Sequence, residues 1–206
     1  MSLEPVASSL QQKGDRARVK SGKLQAGFSL IELLVVTAIF VILSGVVLAN
    51  NSRFGNRIVL QNLAHDIALS IREAQIYGIA VKRYGVDQFN TGFGMHFAPG
   101  SGYELFADVN KNGIWDAGET VKATSIAAGY QISDICAPDS TCGATRLDVL
   151  FRRPEPDACI STNGTVTLND QQICMSSLTR ATITITSNRD DRATIVVESS
   201  GQISVQ

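Results

Sequence analysis

An apolar run from Phe28 to Ala49 contains a single ionisable side chain, Glu32. About 20 apolar residues, rising 1.5 Å each, cross the core of a bilayer as a helix. A stretch of this length therefore reads as a transmembrane segment over 28–49, and whatever follows must fold on one side of it. Five basic residues precede the run: Lys13, Arg16, Arg18, Lys20 and Lys23. That asymmetry keeps the N-terminal side in the cytoplasm and sends the C-terminal side out. A carboxylate a few residues into such a helix costs roughly 3 kcal/mol on insertion scales, so Glu32 calls for an opposite charge as partner.

The stretch Gly27-Phe28-Ser29-Leu30-Ile31-Glu32-Leu33-Leu34-Val35-Val36 resembles the type IV prepilin signature. The resemblance implies a leader over 1–27, removed by a prepilin peptidase after Gly27, and methylation of the new terminal amine on Phe28. It also implies that Glu32 pairs with the terminal ammonium of a neighbouring subunit during assembly. A signal anchor with a chance glutamate is the plain alternative. A cleaved secretory signal fits less well, because its core is shorter and its small-residue site follows the core.

The chain of 206 residues suits one modest domain plus an anchor. Residues 1–27 hold five of the 18 Lys/Arg and two of the 19 Asp/Glu, so the remainder carries a net charge of −4. A mildly acidic balance does not advertise nucleic-acid binding. All four cysteines, Cys136, Cys142, Cys159 and Cys174, lie in the C-terminal half. On the outer side of the membrane an even count reads as disulfides, with three connectivities open. Sequential pairing, which closes two short loops in turn-rich sequence, is the expectation. Zinc would need close C-x-x-C pairs, and there are none.

Beyond the anchor, Leu60, Leu63, Ile67, Ile71, Ala74 and Gly78 recur at helical spacing, with charged residues mostly off that stripe. Anchor and stripe join into one helix over about 28–81, within a helical region 28–84. A bend is expected at Gly55. The region 85–206 reads as β-rich. Expected strands are Thr91–Ala98, Tyr103–Ala107, Glu119–Ser125, Arg146–Phe151, Thr165–Leu168, Ala181–Thr186, Thr194–Ser199 and Gln202–Val205. The fold class is thus α+β: a long N-terminal helix packed on an antiparallel β-domain. The stretch Arg192–Val205 resembles the closing hairpin of minor pilins and pseudopilins of the GspH/FimT kind.

The stretch from Asp108 to Glu119 fits the calcium-loop pattern D-x-[DN]-x-[DN]-G-x5-E. Asp108, Asn110, Asn112, the carbonyl of Ile114, Asp116 and a bidentate Glu119 would ligate Ca2+, and Gly113 would supply the sharp turn. The rival reading is a strand connection with an Asn-Gly turn and solvated acids. His65 and His96 fall near no catalytic arrangement and read as surface or boundary residues. Arg146, Arg152, Arg153, Arg180, Arg189 and Arg192 are scattered along the β-region.

The expected function is structural: a minor pilin or pseudopilin, not an enzyme. It would be a single-pass inner-membrane protein that joins a type IV pilus or type II secretion-like filament outside. Its partners would be other pilin or pseudopilin subunits, the prepilin peptidase and an inner-membrane assembly platform. A tip pilin that captures DNA through its arginines is the alternative.

Overall fold

Ser29 decides where the helix begins. Its carbonyl accepts the amide of Leu33 at 3.1 Å, and its hydroxyl accepts the amide of Glu32 at 3.2 Å. That is the geometry of an N-cap residue. The computed structural model of the chain describes residues 27–80, 82–85, 91–138, 141–165, 174 and 178–206. The expected leader, apart from Gly27, lies outside them.

Helix α1 spans Leu30–Ile79, within two residues of the expected ends at 28 and 81, and it continues through Gly55. Within it Leu30–Leu48 is long and apolar enough to cross a membrane, and none of that segment is buried. The chain divides into two units, Met1–Val46 and Val47–Gln206. In the second, the periodic stripe of α1 is the face that packs. Leu60, Ile67, Ile71, Ala74 and Gly78 are buried, and Leu63 is half-buried.

Nine strands follow: β1 Gly92–Phe97, β2 Gly102–Asp108, β3 Thr120–Ser125, β4 Tyr130–Cys136, β5 Leu147–Phe151, β6 Ala158–Thr162, β7 Arg180–Ser187, β8 Arg192–Glu198 and β9 Ile203–Val205. One sheet has the order β3-β2-β1-β5-β6 and the other β4-β7-β8-β9, with every pairing antiparallel. The architecture is α+β. The helix stripe shares one core with Met95 and Phe97 of β1, Val149 and Phe151 of β5, Ile183 and Ile185 of β7, and Ile195 and Val197 of β8. Alternation along each strand sends these residues to one face.

Two glycines set close approaches. A Cβ on Gly78 would lie well inside 3 Å of the backbone of Phe151, so α1 meets β5 there with no side chain between them. A Cβ on Gly94 would lie 2.6 Å from both the Phe106 ring and the Val149 carbonyl. The missing side chain lets Phe106 cross β1 on the outer face.

Two strands run through sequence expected to be irregular. Strand β4 carries a register shift between Ile132 and Asp134. Ile132 and Ile135 both reach the core despite their three-residue spacing, so period-two alternation is lost. Strand β6 is buried on both faces and has no polar side to alternate with. The cysteines therefore belong partly to strands: Cys136 ends β4 and Cys159 lies in β6. Cys136 bonds Cys142, and Cys159 bonds Cys174. Of the strand expected at Thr165–Leu168, Thr165 forms an isolated bridge with Thr162, and 166–168 lie outside the described residues.

Candidate functional site

The N-terminal segment is built around a non-helical start. Gly27, Phe28 and Ser29 carry no regular structure and are exposed. Glu32 is the first-turn acid of α1 and is exposed among the apolar side chains of Leu30, Ile31, Leu33 and Leu34. Among the described residues its carboxylate has no hydrogen-bond or ion-pair partner. Its place in the first turn is electrostatically favourable, because the helix N-terminus carries partial positive charge.

The second constellation is the loop between β2 and β3. Asp108 ends β2 fully buried. Its Oδ1 accepts the amide of Asn112 at 3.0 Å, and its Oδ2 accepts that of Gly113 at 3.2 Å. Arg152 Nη2 also reaches Oδ2, at 3.2 Å. Burial pushes the Asp108 carboxyl above its ordinary range, against the pull of Arg152 and the Gly113 amide. Glu119 accepts the amides of Val109 and Asn110 on Oε1 and that of Asp116 on Oε2. Gly113 turns the chain at φ 86°. The side-chain amides of Asn110 and Asn112 converge on Asp116 Oδ2, at 2.7 and 2.6 Å.

Positions 3, 5 and 9 of the loop thus meet at one point, while positions 1 and 12 hold the loop backbone. Among the described residues, only Asp134, Cys136 and Cys142 bring three metal-capable acid, thiol or imidazole groups within ligand distance. Both of those sulfurs are used in their disulfide.

A third cluster escaped the sequence reading, which placed His96 at the surface or boundary. On the outer face of the five-stranded sheet, His96 of β1 is opposite Asp148 of β5. His96 Nδ1 donates to Asp148 Oδ1 at 2.6 Å, the tautomer a carboxylate acceptor selects. Arg146 donates to Asp148 Oδ2 from Nε at 3.0 Å and from Nη2 at 2.6 Å. Asp148 is fully buried, so two cationic or polar partners on one carboxylate are what make its burial tolerable. Arg146 Nη2 also donates to the carbonyl of Trp115, which packs against the cluster of Phe106, Leu150 and Cys159. Only the pairing of β1 with β5 brings residues 96 and 148 together.

The remaining candidates stand apart. His65 is exposed and bonds the Gln61 carbonyl, a local helix contact. Arg180 pairs with Glu198, and Arg57 pairs with Asp191. Arg146 and Arg152 pair with Asp148 and Asp108.

An exposed apolar helical segment with one acid in its first turn, followed by an α+β domain, is an arrangement that fits a membrane-anchored protein. The family described as the prokaryotic N-terminal methylation motif matches residues 22–48. A curated protein of Thermus thermophilus, pilin-like protein PilA1, is 34% identical to the chain over 104 residues, 50% of this chain and 61% of that one. The chain thus spans about three fifths of the length of this curated relative. No solved structure matches it. The chain thus carries a prepilin-type N-terminal methylation motif and is similar to a type IV pilin-like protein.

Proposed function

We propose that the chain is a minor pilin or pseudopilin, a structural subunit of a type IV pilus or of a type II secretion-like filament. It is cut between Gly27 and Phe28 by a prepilin peptidase, methylated on Phe28, and assembled from the inner membrane through α1. The observation that carries this reading is Glu32: the only ionisable side chain of the exposed Leu30–Leu48 segment, with no partner among the described residues. A carboxylate held in lipid needs a cation, and the terminal ammonium of a second subunit supplies one. The outer part of α1 supports the same reading. Ile58, Leu69 and Ile76 are exposed on the face opposite the packed stripe, Leu69 and Ile76 at 62% each. Helices of neighbouring subunits would cover them.

The test is the mature N-terminus. Mass spectrometry of protein from native membranes should find Phe28 first and methylated, and Glu32→Ala should leave processing intact while abolishing incorporation into filaments. A mature chain that begins elsewhere overturns the reading. DNA capture draws little support from the geometry, because Arg146, Arg152 and Arg180 pair with carboxylates.

A second reading concerns the Asp108–Glu119 loop, as a calcium site that stiffens the β-domain. Its support is the convergence of Asn110, Asn112 and Asp116 on one point. Turning either amide by 180° presents an oxygen there in place of nitrogen. Calcium has to draw Asp108 from Arg152 and Glu119 from three backbone amides, so the ion competes with contacts already made.

A further inference from the structure

We infer that Ser29 is a positioning residue for maturation: as the N-cap of α1, its hydroxyl holds the helix start at Leu30 and keeps the Gly27–Phe28 peptide bond outside the helix. The inference rests on the proposed cleavage at that bond. An i→i−4 helix running two residues further back would give the Glu32 amide to the Phe28 carbonyl and the Ile31 amide to the Gly27 carbonyl. The Ser29 hydroxyl takes the first of these donors, at 3.2 Å. The first backbone bond of the helix is accordingly the one from Leu33 to the Ser29 carbonyl, at 3.1 Å. Upstream, Gly27 and Phe28 are exposed and without regular structure.

Removing the hydroxyl changes this balance in one direction. The Glu32 amide lies at the head of an apolar segment where water is scarce and an unpaired donor is penalised. Its nearest replacement acceptor is the Phe28 carbonyl. Gly27 is itself an acceptable N-cap residue, so the helix can start two residues earlier at little penalty. The scissile carbonyl, that of Gly27, then accepts a hydrogen bond from Ile31. A peptidase must release that bond before the carbonyl can be attacked, and cleavage follows the population of the opened state. Glu32 fits the scheme. It stands three residues after Ser29, the spacing of a capping box, yet its carboxylate makes no bond back to the Ser29 amide among the described residues. Ser29 therefore caps α1 alone and leaves the acid available for a partner.

The test follows processing of the full-length precursor in membranes that contain prepilin peptidase. Three precursors are compared: wild type, Ser29→Ala and Ser29→Thr. The first expected result is that Ser29→Ala is cut at the same bond about fivefold more slowly, the ratio that the loss of one typical cap represents. The second is that Ser29→Thr, which retains a capping hydroxyl, is cut at close to the wild-type rate. The third is that amide exchange in detergent shows the Ile31 amide gaining protection in Ser29→Ala only. An alanine variant cut as fast as wild type overturns the inference, and so does a threonine variant as slow as alanine. A wild-type chain that is not cut at Gly27–Phe28 at all overturns the maturation reading beneath it, a different result from either.

Discussion

The indole of Trp115 stacks on the imidazole of His96, with ring centroids 4.4 Å apart and planes 17° from parallel. Trp115 belongs to the loop after β2, and His96 to the middle of β1. The stack therefore fastens the acidic loop over the outer face of the sheet. His96 is held in turn by buried Asp148, and Arg146 joins that carboxylate to the Trp115 carbonyl. Loop, sheet and the small outer core of Phe106, Leu150 and Cys159 are parts of one packed arrangement.

Asp148→Asn should destabilise the β-domain by about 2–3 kcal/mol. Removing one member of a fully buried pair costs roughly 3–5 kcal/mol. Arg146 is a quarter exposed, and water recovers part of its solvation. Trp115 is the only tryptophan, so urea unfolding can be followed by its emission. Lys111→Ala, at an exposed loop position, should shift the midpoint by less than about 0.5 kcal/mol. Equal midpoints for Asp148→Asn and wild type would mean the carboxylate is not held as described.

Gly78→Ala and Gly55→Ala should move stability in opposite directions. Both glycines lie inside α1, where alanine is intrinsically favoured by about 1 kcal/mol. A Cβ on Gly55 meets nothing within 4 Å, so the propensity gain should be realised in full. On Gly78 the same atom would run into the Phe151 backbone, which cannot rotate away. Overpacking of that kind costs about 1–3 kcal/mol and exceeds the gain. Thermal melts of the two variants against wild type decide the point.

What could be read from the chain depended on whether one residue's neighbours lie close in sequence. The stripe Leu60–Ile67–Ile71–Ala74 announces its own helix face, and Phe93–Met95–Phe97 announces its strand, because period and burial coincide. Strand β4 did not announce itself, since the bulge beside Ile132 breaks its alternation. Strand β6 did not either, since both its faces are covered. The anchor motif was legible as local spacing. The His96–Asp148 pair, 52 residues apart, was not, because it exists only once β1 lies beside β5. Arg152 on Asp108 was hidden for the same reason, and its path crosses Gly92, where the lack of a side chain gives no sequence signal.

The two disulfides should differ in what their removal does. In the chain-entropy account, closing a separation of 15 residues, as Cys159–Cys174 does, contributes about 3 kcal/mol, and a separation of 6, as in Cys136–Cys142, about 2 kcal/mol. Cys159 also packs with Phe106 and Leu150. Replacing Cys159 and Cys174 with serine should therefore lower the melting temperature further than replacing Cys136 and Cys142. The reverse order would point to structure retained in the reduced unfolded chain.

Acid should remove a contribution centred on Glu73. The Tyr77 hydroxyl, donating at 2.6 Å, holds the Glu73 carboxyl below its ordinary value, with Lys122 adding attraction. The folded value lies below the unfolded one. The stability gained is therefore present above the unfolded value of about 4.5 and is lost as pH falls through the folded value. Glu73→Gln should be less stable than wild type at pH 6, and the gap should close as pH falls through the folded value. Tyr77→Phe should remove much of the difference at pH 6. A gap between Glu73→Gln and wild type that persists unchanged in acid would show that charge is not its source.

Calcium should raise the melting temperature of the β-domain if the Asp108–Glu119 loop binds it, because the ion binds the folded loop and not the unfolded chain. The loop offers oxygen from Asp108, Asn110, Asn112, Asp116 and Glu119 and the Ile114 carbonyl, a donor set that suits a hard cation. Magnesium should substitute poorly, since it prefers a smaller octahedral shell. Glu119→Gln should abolish most of the shift, because it removes a charge and the bidentate ligand while keeping the side chain's size. Arg152→Gln is the more informative variant. Arg152 is the cation on Asp108, so calcium and the guanidinium would compete for one carboxylate. Without Arg152 the apo domain should melt lower, and the gain on adding millimolar calcium should be larger than in wild type. Identical melting curves in calcium and in chelator, for wild type and for Arg152→Gln alike, would leave the loop as a strand connection held by its own amides and by Arg152.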